Sequence, residues 1–444
     1  MAEILLSLGL DVGTTSTQMI FSQLVIENKA GSFAVPEMTI QERKILYKSP
    51  IHFTPLLLGD LVDAEKLKEI VDLEYRNAGI SKSQVDTGAI IITGETSRKE
   101  NARAVLEALS DYAGDFVVAT AGPDLESILA ARGSGAVEYS RKTGKNVLHM
   151  DIGGGTSNLA LIEDGKITAT GCLNVGGRLL KISADEKIQY VSPVLEGLFS
   201  RETGDYVNQT EVENLAGTLV QALEMAAGLR EPTPLLAKLT TREAGTFPPP
   251  RDAVISFSGG AADCIETRHP WLAFGDIGPE LGQAIKASRL CAGEYVLGTE
   301  TIRATVIGAG CHSAQLSGST VFYQNMTFPL KNLPVVQNTA GLKSLDGPGV
   351  LALPGPKNPG YWELTQLAAS ILSQAPSEPL ILVLEADAAK ALGQLLALHL
   401  GPEAKILCID RVRLPEGSFL DVGIPVGPAL PVVVKTLILS GSGN

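Results

Sequence analysis

The sequence predicts an α/β protein of two lobes around a cleft, followed by a C-terminal α/β segment, on three observations. Two glycine-containing hairpin tips, GLDVGTTST and HMDIGGGTSN, echo each other, with their aspartates Asp11 and Asp151 140 positions apart (151 − 11). Strand and helix patterns alternate along the chain. A length of 444 residues, 45% hydrophobic and 19% charged, exceeds one compact core and suits two or three. The 46 glycines and 5% aromatics fit tight loops between strands and helices, not disorder.

Taken in order, residues 4–10 (ILLSLGL) read as a buried strand ending at Asp11, 12–16 as a turn and 17–26 as the returning strand. Over 63–78, Leu67, Ile70 and Val71 share one helical face. Residues 89–92 form a short buried strand, 100–109 a helix, 116–119 a strand, and 125–132 a helix stopped by Gly133. The second hairpin pairs 146–150 with 157–163 and closes at Asp164-Gly165. The two tips are a duplicated motif, spaced too far apart for a solenoid. Residues 231–252 read as a linker into a strand at 253–257 and the loop Ser258-Gly259-Gly260. Beyond about Asn332 a helix at 361–373, a strand at 380–385, a helix at 387–400 and a strand at 405–411 alternate. The LDVG at 420–423 repeats the first tip without its hydroxyls and reads as an ordinary strand and turn.

Charge narrows the function. With 36 basic and 49 acidic side chains, a net −13, the chain repels nucleic acid and anionic membrane, so neither is an expected partner. Cys172, Cys264, Cys291, Cys311 and Cys408 include no CxxC pair and point to reduced thiols inside the cell. The opening MAEILLSLGLDVG is unlike a signal peptide, and no apolar run approaches ~20 residues, so a cytoplasmic protein is expected. Such a chain holds a nucleoside triphosphate only if backbone N–H groups and a divalent cation neutralise the phosphates.

The tips supply that. A tight glycine turn aims successive N–H groups at an anion, and Thr14, Thr15, Thr156 and Ser157 add hydroxyl donors. Asp11 and Asp151, facing each other, would hold a hydrated Mg2+ against the phosphates. Either tip alone reads equally as a plain β-turn; two matched tips separated by an α/β lobe favour a shared site. No GxxxxGK[ST], GxGxxG after a strand, HExxH or paired Cys–His spacing competes. His149, on a buried strand, reads as a satisfied core histidine, Cys172 as a buried small residue, and Gly176-Gly177-Arg178 as a turn with a solvated arginine. Ser258-Gly259-Gly260 lacks the GxSxG of a hydrolase elbow.

GLDVGTTSTQMIF resembles the first phosphate motif of the actin, Hsp70 and sugar-kinase superfamily, and LHMDIGGGTSNLALIEDGK the second. AVISFSGGAADCI at 253–265 is similar to the adenosine motif, TAGPDLESILAARGSGA at 120–136 to the first connecting helix, and IRATVIGAGCHSAQLSG at 302–318 to the second connecting segment. The resemblance implies an actin-like (ribonuclease H-like) ATPase fold with ATP and Mg2+ as cofactors. It assigns nucleotide contacts to Gly13, Thr14, Thr15, Ser16, Gly153, Gly154, Gly155, Thr156, Ser258, Gly259 and Gly260, and catalytic and metal roles to Asp11 and Asp151. Glu126 matches a carboxylate that in several relatives orients the magnesium shell or attacking water; a helix-surface carboxylate is the plain alternative.

DTGAIIITGETSRKENARAVLEAL, GCLNVGGRLL at 171–180 and IRATVIGAGCHSAQLSGST resemble, more specifically, the reactivating factors of ethanolamine ammonia-lyase, over residues 4 to about 335 and more loosely beyond. That family implies an ATP-driven chaperone with ethanolamine ammonia-lyase as client, which exchanges damaged cobalamin for intact adenosylcobalamin, in the cytoplasm or a bacterial microcompartment. No DxHxxG occurs, so direct cobalamin binding by this chain is not expected. The alternatives are a phosphotransfer enzyme of the same fold, such as a polyphosphatase or small-molecule kinase, or a filament-forming actin relative. The expected units are a first lobe at 1–140, a second at 141–335 and a C-terminal segment at 336–444.

Overall fold

A computed structural model describes residues 3–13, 16–28, 38–57, 61–93, 105, 109, 117–120, 123–241, 252–312, 315–316, 320–343, 345, 347–356, 359–373, 378–414, 418–425 and 429–436. The helix expected at 100–109 lies almost wholly outside these residues, as do Thr14 and Thr15.

The first sheet holds β1 (Glu3–Val12), β2 (Ser16–Asn28), β3 (Met38–Lys48), β4 (His52–Phe53), β5 (Thr87–Ile92) and β6 (Val117–Thr120). Its order is β3-β2-β1-β5-β6, with β4 beside β2. The three leading strands run antiparallel; β5 and β6 run parallel to β1. β1 is nearly all apolar because both of its faces are covered. Leu8, Leu10 and Val12 pack with Leu67, Val71 and Tyr75 of helix α1 (Ala64–Ala78). Asp63 caps that helix by accepting from the Lys66 N–H, and Gly79, at φ 67°, ends it.

The chain then crosses to the second lobe through α2 (Pro123–Gly133) and α3 (Ala136–Thr143). β7 (Val147–Ile152), β8 (Ser157–Glu163) and β9 (Lys166–Leu173) are followed by the small ribbon of β10 (Leu180–Ile182) and β11 (Ile188–Val191). Next come the long helix α4 (Gln209–Ala226), β12 (Val254–Ser258), helix α5 (Gly278–Lys286) and β13 (Tyr295–Leu297). The second sheet runs β13-β12-β7-β8-β9. Order and polarity repeat the first sheet: an antiparallel three-strand meander, then two parallel strands beside the leading one. This duplicated topology is the actin-like fold the motifs imply. Its core joins Leu148, Met150 and Ile152 to Leu215, Leu219 and Leu223 of α4 and Leu281 of α5.

The lobes meet through two connecting helices. α2 follows the first sheet in sequence but packs on β7, β8 and β9, whereas α6 (Ala304–His312) follows the second sheet and packs on β1, β2 and β5. The two cross closely because glycines stand at the contacts. A Cβ on Gly133 would lie 1.8 Å from the Ala304 carbonyl oxygen, and one on Gly308 2.1 Å from that of Leu129.

A third sheet contains β14 (Gln315–Leu316), β15 (Phe322–Gln324), β16 (Leu330–Val336), β17 (Val350–Leu353), β18 (Leu380–Leu384), β19 (Ile406–Ile409), β20 (Ser418–Val422) and β21 (Pro431–Thr436). Its order is β14-β21-β20-β16-β17-β18-β19-β15, with β16 to β19 parallel. Helices α7 (Tyr361–Ser373) and α8 (Ala389–Leu400) cover one face. The strands between 315 and 336 pair within this sheet, beside those of the C-terminal segment.

Candidate nucleotide and cation site

The two tips share one backbone plan. The Gly13 N–H donates to the Ser16 carbonyl at 2.9 Å, and the Gly153 N–H donates to the Thr156 carbonyl at 2.9 Å. Both residues of the second pair stand 140 positions after their counterparts, as Asp151 does after Asp11. The Thr54 hydroxyl donates to the Gly13 carbonyl at 2.8 Å and ties the first tip to the chain following β4. In the second tip, among the described residues, no carbonyl accepts from the amides of Gly154, Gly155 or Thr156. That leaves donors of the kind an anion needs. The tip is clamped from behind: Gly177 and Arg178 donate their N–H groups to the Gly153 and Gly154 carbonyls, and a Cβ on Gly176 would lie 2.3 Å from the latter.

Asp11 and Asp151 end the central strands of their sheets and sense each other electrostatically. Burial pushes the Asp11 carboxyl up to about 7, opposed by the hydrogen bond from the Thr93 hydroxyl at 2.8 Å and reinforced by Asp151. Burial also raises Asp151 to about 6, against hydrogen bonds from Ser258 at 2.5 Å and Thr305 at 3.4 Å. Two buried carboxylates from opposite lobes, with Asp151 close enough to raise the pKa of Asp11, form a candidate cation site. Among the described residues no group of three or more His, Cys, Asp or Glu side chains converges as a metal site. A cation held here would draw on two carboxylates, phosphate and water, as suits Mg2+ and not zinc.

Ser258 leads into the loop that resembles the adenosine motif. Gly259, at φ 88°, places its backbone where a Cβ would lie 2.3 Å from the Ile152 carbonyl oxygen, and Ala261 donates to that same oxygen at 3.2 Å. The loop therefore packs on the end of β7, beside Asp151. Gly260 is next to it, 3.9 Å from the Ile302 side chain at its would-be Cβ. His149 is fully buried, its Nδ1 3.1 Å from the Ser256 hydroxyl and its Nε2 3.0 Å from that of Ser258. Burial lowers its pKa to about 3, so it is a neutral core histidine that orients Ser258 toward Asp151.

Glu126, on α2, is buried and is no surface carboxylate; its Oε2 accepts from the Asn158 Nδ2 at 2.8 Å. Asn158 lies directly opposite Asp151 in the β7–β8 register, which places Glu126 one side chain from the second tip. Arg178 departs from the solvated arginine expected. Its Nε donates to the buried Asp276 carboxylate at 3.0 Å, and its aliphatic carbons cover Gly154. The pairing spans 98 residues, so nothing near Arg178 in the sequence could announce it. Ser16 opens β2 opposite Phe53, and Gly155 is the exposed apex of the second tip.

The family model for ethanolamine utilisation protein EutA matches residues 3–348 and 341–440. Ethanolamine ammonia-lyase reactivase EutA of Salmonella typhimurium is 40% identical over 464 residues, covering 98% of each chain. The protein of the same name from Escherichia coli is 39% identical over 468 residues, again covering 98% of each. Among solved structures, ethanolamine utilization protein EutJ from Carboxydothermus hydrogenoformans is 17% identical, with a TM-score of 0.35, covering 68% of this chain and 88% of its own. The chain belongs to the EutA family of ethanolamine utilisation proteins.

Proposed function

We propose that this chain is an ATP-dependent reactivase of ethanolamine ammonia-lyase, which promotes exchange of damaged cobalamin for intact adenosylcobalamin on that client. The observation that carries the reading is the end-to-end likeness to two reactivases, which includes the C-terminal unit and the chain outside the phosphate tips. Neither a polyphosphatase nor a sugar kinase accounts for likeness of that extent.

ATP would take its phosphates between the two tips, at Gly13, Ser16 and Gly153 to Thr156, and its adenosine at Ser258 to Gly260. Asp11 and Asp151 would hold Mg2+, which neutralises phosphate charge when bound. Glu126, fixed through Asn158, orients the attacking water. The two lobes are joined by crossing helices and each contributes one tip, so nucleotide state biases their closure. A client that binds the closed and open forms with different affinity is driven between conformations. Moving such a client from 1:99 to 99:1 takes about 5.5 kcal/mol of differential affinity, an amount ATP hydrolysis can supply. Cobalamin is bound and released by the client and not held by this chain, and the reactivase works where the client does, in the cytoplasm or a microcompartment. Among the described residues no helix is long and apolar enough to cross a membrane.

The direct test is single-turnover ATP hydrolysis with Mg2+ in the presence of cyanocobalamin-inactivated client. Glu126→Gln keeps an oxygen for Asn158 yet lowers hydrolysis by about 10²-fold or more, with nucleotide affinity held within about twofold. Hydrolysis at the wild-type rate in this variant contradicts the role given to Glu126.

A further inference from the structure

Two amide side chains, Gln18 and Asn158, repeat the 140-residue symmetry of the site (158 − 18) at positions to which the motifs assign no role. Gln18 lies directly opposite Asp11 in the β1–β2 register, and Asn158 directly opposite Asp151 in the β7–β8 register. Cross-strand partners of this kind share a sheet face with their Cβ atoms ~5 Å apart, so each amide stands beside its carboxylate. Both are buried, at 5% and 4% exposure. The Gln18 Nε2 donates to the Ile302 carbonyl at 3.2 Å, and the Asn158 Nδ2 to the Glu126 carboxylate at 2.8 Å. Those partners accept only, which fixes which end of each amide is oxygen. Gln18 Oε1 and Asn158 Oδ1 are then buried acceptors with no hydrogen-bond partner among the described residues. A buried orphan acceptor is costly, and one in each lobe at matching positions points to a shared occupant.

That occupant must donate hydrogen bonds, because the unmet atoms are carbonyl oxygens; phosphate oxygens cannot satisfy them. It must also tolerate the flanking carboxylates. A divalent cation that keeps its water shell meets both demands, and Mg2+ usually keeps several waters. We infer that Gln18 and Asn158 are a matched pair of positioning residues that accept hydrogen bonds from the waters of the site's cation, one from each lobe. This rests on the nucleotide reading above and adds two residues to it.

The test is titration of a fluorescent ATP analogue with and without Mg2+. Gln18→Met and Asn158→Leu each raise the half-saturating Mg2+ concentration about tenfold, the loss of one hydrogen bond to a charged complex, a change larger than any in nucleotide affinity measured in EDTA. Gln18→Glu, which keeps the acceptor and loses the donor, stays within about threefold of wild type. Hexaamminecobalt(III), whose ammines donate as the waters do, replaces Mg2+ in strengthening nucleotide binding by the wild-type protein. An unshifted Mg2+ requirement in Gln18→Met and Asn158→Leu overturns the inference alone. So does equal impairment of Gln18→Glu and Gln18→Met, which would mark Gln18 as a prop for Ile302. Should a variant fail to fold, the cobalt complex still decides: no effect on the wild-type chain overturns the inference. Nucleotide binding by wild type that ignores both cations removes the nucleotide reading itself.

Discussion

Asp11→Asn gives a protein more stable than wild type above pH 7 that no longer reactivates its client. Burial holds the Asp11 carboxyl at about 7, against an ordinary 3.8. Below about pH 4 the group is protonated in both the folded and unfolded chain and has no effect. As pH rises from about 4 to 7 the unfolded chain has lost a proton that the fold retains, so stability falls; above 7 the whole penalty is present. Asparagine keeps an oxygen for the Thr93 hydroxyl and never ionises. The gain over wild type therefore grows through that window to roughly 4 kcal/mol at pH 8, read from urea unfolding in EDTA. Mg2+ with nucleotide restores wild type more at pH 8 than at pH 5, because at pH 5 it must displace protons. A variant less stable than wild type at pH 8, or one that still reactivates, contradicts the assignment of Asp11.

Gly308→Ala is expected to disable the protein from a position with no part in nucleotide contact. The added methyl would sit 2.1 Å from the Leu129 carbonyl oxygen, a backbone atom with no rotamer to move. The crossing of α2 and α6 must open instead, which costs about 1–3 kcal/mol or more. The junction through which the proposed mechanism passes closure between the lobes is altered with it. Nucleotide binding persists with reactivation lost, and the thermal midpoint falls. Gly217→Ala, in α4, is the control: its Cβ meets nothing within 4 Å and the change stabilises by about 1 kcal/mol. Full reactivation by Gly308→Ala at unchanged stability shows that the helix crossing is not the coupling element.

Much of the site was legible because its chemistry is local. Asp11, Asp151 and the glycines around them fall in short motifs whose duplication is visible by eye, and the hairpin strands around them are continuous apolar runs. The α4 helix is legible in the sequence, where Asn208 and Glu211 form a capping box before a helical repeat of Val212, Leu215, Leu219 and Leu223. The strands at 315–336 pair with segments up to about 115 residues later in the chain, such as β14 with β21, and no local pattern reports such partners. The roles of Gln18 and Asn158 are hidden in the sequence for a similar reason. Their meaning lies in cross-strand register and in an unmet oxygen, neither of which a motif encodes. The setting of Arg178 is hidden likewise, because its partner Asp276 lies far along the chain.

The central claim is tested most directly by recovery of client activity. Ethanolamine ammonia-lyase inactivated with cyanocobalamin is mixed with the purified chain, adenosylcobalamin, Mg2+ and ATP, beside a sample without ATP. Recovery only with ATP, absent in Asp11→Asn, is the result expected of a reactivase working through this site. No recovery by wild type, with ATP binding confirmed and an active client control, would contradict it and leave the actin-like fold in search of another substrate.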